Sequence, residues 1–172
     1  GNIYFKYFLT IFCFMVLING SNFMDGVNIL LLGYYLGVSI LSLIVLNQFG
    51  SKLDIINFQI IIISLFILFL FNFFNKLISG DSGAYTISFL IGYYLIYISN
   101  LSEAISPFFV GCLLWYPSYE CLFSIIRKII RKIPISQSDN KHLHQLLLTY
   151  LRKKFKTKND KLNTITGLII NS

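Results

Sequence analysis

Residues 55–74 read IINFQIIIISLFILFLFNFF, twenty residues without a single charge. A helix of about 20 residues covers about 30 Å, the thickness of a bilayer's hydrocarbon core. A soluble helix keeps one polar face, and this stretch has none. It reads as a membrane span. The composition extends that reading to the rest of the chain. Of 172 residues, 56% are hydrophobic and 12% charged, and the mean hydropathy is +0.72. Soluble domains carry about 45–50% apolar and about 25% charged residues. Disordered, collagen-like and ordinary soluble classes are excluded. The predicted fold is all-α, a polytopic transmembrane helix bundle forming one integral membrane domain.

Four further apolar runs, at 3–18, 29–46, 84–99 and 105–126, are predicted spans. Lys6 lies near one end of the first and can snorkel. Pro107 suits the first turn of its helix, and Pro117 is expected to bend or end that span. A basic loop at 127–162 and the start of another span at 163–172 complete the predicted order. The chain opens on Gly1, directly in an apolar segment without the basic start and cleavage site of a signal peptide. Its last apolar run stops at Ser172. It is therefore expected to be a piece of a longer parent. Cys13, Cys112 and Cys121 lie in apolar stretches without C-x-x-C spacing, so they are expected as buried free thiols.

Charge sets the orientation. Up to residue 126 there are three basic and five acidic residues; from 127 to 161 there are eleven basic and two acidic. The positive-inside rule places the basic segment in the cytoplasm. Counting spans backward puts the polar segments 19–28, 79–83 and 139–145 on that same face, with 47–54 and 99–106 opposite. In 124–133, isoleucines alternate with Arg127/Lys128 and Arg131/Lys132, the pattern of a basic amphipathic helix in the headgroup layer. Asp139 is the predicted N-cap of a second helix, on which Leu143, Leu146, Leu147, Tyr150 and Leu151 form an apolar face. The basic run 152–161 lacks the aromatic interleaving of nucleic-acid binders. Anionic lipid is the expected partner, and nucleic acid is not.

The three polar segments carry the chemistry. The first, NGSNFMDGVN at 19–28, sets Asn22, Asp25 and Asn28 three residues apart, on one face of a helical turn. Carboxamides and a carboxylate can read a base edge or sugar hydroxyls; the same residues also suit a turn, with Asn28 capping the next helix. The second, SGDSG at 79–83, combines a flexible backbone with Asp81, a hard oxygen ligand for Mg²⁺. As a plain interfacial turn it would use Asp81 as an N-cap. The third, DNKHLHQ at 139–145, holds both histidines of the chain. They are candidates to hydrogen-bond a diphosphate, or solvated surface residues. Together the three suit phosphoryl transfer, which depends on positioning and charge neutralisation. A transporter component or a non-catalytic membrane subunit is the alternative class.

In order and spacing the three segments resemble the N-x-x-N-x-x-D-G-x-(D/N)-G-L, G-D-(S/A)-G-S and D-x-x-H-L-H-H-x-L motifs of the polyprenyl-phosphate N-acetylhexosamine-1-phosphate transferases, glycosyltransferase family 4. Tyr116-Pro117 and Ile126-Arg127-Lys128 resemble the segment feeding the third. Ile29 stands where that pattern has Gly, Gln145 where it has a third His, and its upstream acidic D-D-x-x-(K/D) motif has no counterpart in these 172 residues, so by the resemblance the chain alone is expected to be inactive.

The resemblance implies a bacterial inner-membrane enzyme with its motifs facing the cytoplasm. It would pass a sugar 1-phosphate from a UDP-N-acetylhexosamine to polyprenyl (undecaprenyl) phosphate, release UMP and start a cell-surface polysaccharide. It further implies Mg²⁺, or Mn²⁺ in its place, held by Asp81. Asn22, Asp25 and Asn28 would contact the nucleotide sugar, and His142 and His144 with Lys141 the diphosphate or sugar. Asp81, Asp25, His142 and His144 would be the catalytic set. A homodimer is compatible with it.

Overall fold

The computed structural model describes residues 3–103, 105–134, 141–156 and 161–172. Among them all regular structure is helical: α1 (Ile3–Met24), α2 (Leu30–Phe49), α3 (Lys52–Phe73), α4 (Gly80–Ser99), α5 (Pro107–Leu113), α6 (Trp115–Ile130), α7 (Leu143–Phe155) and α8 (Lys161–Asn171). By length and composition α1, α2 and α3 can each cross a membrane, and α5 with α6 make a fourth, bent span if counted as one. α4 has the length but less apolarity. It opens on Gly80-Asp81-Ser82-Gly83 and carries Thr86, Ser88 and Gly92 further along.

α4 earns its place by packing. Ala84, Ile87, Ser88, Ile91, Gly92, Leu95 and Ile98 are buried, and α1 and α2 pack against it. The core joins Leu17 and Met24 of α1, Leu30–Leu32 and Tyr35 of α2, and Ile91 and Leu95 of α4. Outside this seam, Phe5, Phe8, Phe12, Ile56, Ile60, Ile63 and Phe66 are exposed. Soluble monomers do not present aromatic and β-branched residues in such continuous bands; lipid tails solvate them at no cost.

Helix ends explain where the motifs sit. α1 runs six residues past the predicted span, so Asn19 and Asn22 ride its last turns rather than a loop. α3 starts in a capping box: Ser51 Oγ accepts from the Asp54 N–H, and Asp54 accepts from the Ser51 N–H at 3.0 Å. The run 105–126 breaks at Leu114, where α5 and α6 meet at 72°. The break is therefore before Pro117, which lies in the first turn of α6, where a missing N–H costs nothing. α6 then continues to Ile130 and carries the basic isoleucine-rich pattern on its last turns.

Candidate functional site

The first motif closes α1 and leads into α2 through a strained turn. Ile29 has φ 60, the left-handed region that disfavours a β-branched residue by about 1–2 kcal/mol. This is the position where the related pattern has Gly, so the backbone keeps the shape that glycine would adopt freely. Three carboxamides hold it. Asn72 of α3 accepts from the Ile29 N–H and donates to the Leu77 carbonyl at 2.7 Å. Asn171 of α8 donates to the Ile29 carbonyl at 3.0 Å. Asn28 donates to Asn75 in the α3–α4 connection. Asn28 thus pairs across the turn instead of capping α2, whose N-cap is Ile29.

The second motif starts α4. Gly80 has φ +64, which only glycine takes without strain. Ser79 is the N-cap and Asp81 lies inside the first turn, so Asp81 is exposed and is not spent on capping. It stands close enough to Asp25 for its charge to act there. The Asp25 carboxyl is pushed above its ordinary value, first by burial and further by Asp81, while Ser79 and the Gly80 N–H pull the other way. Asn22 donates to the Tyr85 hydroxyl at 3.3 Å and ties the end of α1 to the same turn of α4.

The third motif is held from below. Asp139 and Asn140 lie outside the described residues; the N-cap of α7 is His142, whose backbone N–H donates to Gln145 Oε1 at 3.4 Å. The position expected to hold a third histidine therefore closes the cap. His142 is extended and His144 lies in the first turn, so their rings stack parallel with centroids 5.7 Å apart. The His142 ring also stacks on Phe23 at 4.5 Å. Gly26 packs against His144: a Cβ there would stand 3.0 Å from His144 Nε2. Lys141 is exposed, and its carbonyl accepts from Arg127 at 2.9 Å.

The 19–28 segment is thus the hub, touching 79–83 through Asp25 and 141–145 through Phe23 and Gly26. Two residues beneath it were not singled out by spacing. Glu120 of α6 is 2% exposed and binds His142 Nδ1 at 2.9 Å. Asn72 is 4% exposed and joins the first loop to the second. Glu120 had a signal in the sequence, as an acid inside an otherwise apolar run. Asn72, at the end of the most apolar run of all, had the weaker one.

His144 is fully buried, and neither ring nitrogen has a hydrogen-bond partner among the described residues. Burial depresses its pKa to about 4, with the charge of His142 adding to the effect and Glu120 opposing it. Its unfolded value is near 6.5. Above that pH neither state binds the proton; below it the unfolded chain does and the folded one does not, until about 4. Stability is therefore lost as pH falls through this window, by about 2 kcal/mol between pH 7 and 5. Unfolding of the protein in detergent at the two pH values should show that loss, and His144→Gln should reduce it.

Among the described residues no three His, Cys, Asp or Glu side chains group as a metal cage. Mg²⁺ ordinarily uses one or two carboxylates and fills its sphere with water and substrate phosphates. Asp81, exposed and close enough to Asp25 for its charge to act there, fits that pattern.

Residues 2–99 match the Glycosyl transferase family 4. A curated relative, the probable undecaprenyl-phosphate N-acetylglucosaminyl 1-phosphate transferase of Bacillus subtilis (strain 168), is 30% identical over 152 residues, covering 84% of this chain and 41% of that protein. No solved structure matches. The chain belongs to glycosyl transferase family 4, and it spans about two fifths of the curated relative's length.

Proposed function

We propose that the full-length protein transfers a sugar 1-phosphate from a UDP-N-acetylhexosamine to polyprenyl phosphate and releases UMP, starting a bacterial cell-surface polysaccharide. The observation that carries this is the convergence of Asp25, Asp81, His142 and His144 at the ends of helices that also line an apolar groove farther along the bundle. The groove, about 440 Å³, is lined by Leu9–Leu17 positions of α1, Gly92 and Ile96 of α4, and Val110, Leu114 and Leu122 of α5 and α6. It follows the same helices that carry the first two motifs, so an isoprenoid lying in it can bring its phosphate to their ends.

In the reaction an oxygen of the lipid phosphate attacks the phosphorus that carries the sugar. That phosphorus–oxygen bond forms while the one to UMP breaks, and UMP leaves with the electron pair. Asp81, with Asp25 beside it, would hold Mg²⁺ or Mn²⁺, which when bound neutralises phosphate charge as a Lewis acid. Asn22 and Asn28 would read the nucleotide sugar through their amides. Lys141, His142 and His144 would hold the diphosphate, His144 by the ring nitrogens that have no protein partner among the described residues. Basic residues flank this end of the bundle, with Arg127 and Lys128 in the last turn of α6 and Arg152, Lys153 and Lys154 in that of α7. They favour a cytoplasmic-facing site in the inner membrane.

The test is the full-length protein in detergent with polyprenyl phosphate, Mg²⁺ and UDP-GlcNAc, UDP-MurNAc-pentapeptide, UDP-QuiNAc or UDP-FucNAc. Lipid-linked sugar and UMP should form in equal amounts with one of them, and removal of the metal by EDTA should stop both. Absence of UMP release with all four would overturn the reading.

A further inference from the structure

Glu120 sits on α6, one helix below the third motif, in a segment that no catalytic motif includes. It is 2% exposed, and His142 is 3% exposed. A carboxylate in such a place is costly unless its oxygens are satisfied. Here they are: Oε1 accepts from the Leu143 N–H at 3.1 Å and the Tyr116 hydroxyl at 3.2 Å, and Oε2 meets His142 Nδ1 at 2.9 Å. A buried charge engaged on both oxygens does more than fill space, because every contact but Tyr116 lies on the loop bearing the histidines.

We infer that Glu120 is a positioning residue for the transfer reaction, fixing both the place and the tautomer of His142. This rests on the transferase reading of the site. Oε1 already accepts two bonds, and an ionised carboxylate can only accept, so the proton of the third bond resides on His142 Nδ1. Nε2 is then the nitrogen left for the substrate. The same anchor presses the His142 ring onto Phe23 of the first motif and parallel to His144. Glu120 thus holds the third motif against the first, while Arg127, also of α6, ties the loop by its Lys141 carbonyl. The logic is that of a carboxylate orienting a ligating histidine, whose loss costs about 10–100-fold in affinity or activity.

The test uses the full-length protein and has two readouts. The first is transfer kinetics of Glu120→Gln and Glu120→Asp. The Gln variant keeps the shape, and its carbonyl can still accept from Leu143 and Tyr116, but its amide donates toward Nδ1 and reverses the tautomer. We expect kcat to fall about 10–100-fold, with KM for polyprenyl phosphate unchanged, and the Asp variant, which still accepts, to recover part of the loss. The second is nitrogen-15 NMR of labelled histidine, assigned by His142→Gln. It should show a proton on His142 Nδ1 in the wild type and its displacement in Glu120→Gln.

A wild-type Nδ1 without a proton overturns the inference with no variant needed, even if Glu120→Gln fails to fold. A Gln variant of wild-type kcat overturns it as well. Should the wild-type protein transfer no sugar phosphate, the transferase reading falls, while the wild-type nitrogen pattern still decides whether Glu120 sets the tautomer.

Discussion

Asp81→Asn in the full-length protein is expected to reduce sugar-1-phosphate transfer about 10²–10³-fold, the usual effect of removing one electrostatic partner of a developing phosphate charge. The amide keeps the size of the side chain and one oxygen but removes the charge that would bind a hard cation. Asp81 is exposed, Ser79 rather than Asp81 is the N-cap, and among the described residues no side-chain bond of Asp81 holds the fold. The stability change should therefore stay within the about 0.3–1 kcal/mol that a first-turn acid contributes against the helix dipole. The check is UMP release titrated with Mg²⁺, alongside the thermal midpoint. The variant should need more metal for the same rate and unfold at nearly the wild-type temperature. Wild-type activity at low Mg²⁺ would place the metal elsewhere. A parallel Asp25→Asn change removes the second carboxylate, which burial lifts first and the charge of Asp81 only further. It should cost activity while leaving the fold unharmed.

The sequence carried the helical membrane architecture in its uninterrupted apolar runs, and it carried the three polar motifs in their residue types and order. What it could not carry was adjacency between helices far apart in the chain. Asp25 and Asp81 are read separately until α1 and α4 pack side by side. Glu120 is visible as an odd acid, but its partner His142 lies 22 residues away, beyond the end of α6 and at the start of a new helix. Local signals also misled. Pro117 drew attention as a breaker, yet a proline in a first turn starts a helix as readily as it stops one, and the bend fell at Leu114. Asp139 looked like a cap by residue type, but the N-cap is His142, its N–H donating to Gln145. Capping depends on where the chain turns, and that was set by Glu120 drawing the Leu143 N–H and the His142 ring toward α6.

Gly20→Ala is expected to destabilise the protein by about 3 kcal/mol, the upper end of ordinary overpacking. A Cβ at Gly20 would stand 1.9 Å from the Pro117 carbonyl oxygen and 2.5 Å from its carbon. Both are backbone atoms in the first turn of α6, and no side-chain rotation relieves the contact. α1 and α6 would have to separate. Small residues serve this purpose between membrane helices, where backbones gain packing by close approach. The consequence reaches the site, because α1 carries Asn22 and Phe23 just beyond Gly20, and α6 carries Glu120 just beyond Pro117. Separation pulls Phe23 off the His142 ring, so transfer should fall along with stability. Gly37→Ala in α2 is the control: a Cβ there meets nothing within 4 Å, and alanine is better than glycine inside a helix by about 0.5–1 kcal/mol. The two alanines should therefore move the thermal midpoint in opposite directions. A Gly20→Ala protein as stable and active as the wild type would mean that α1 and α6 do not meet at Pro117.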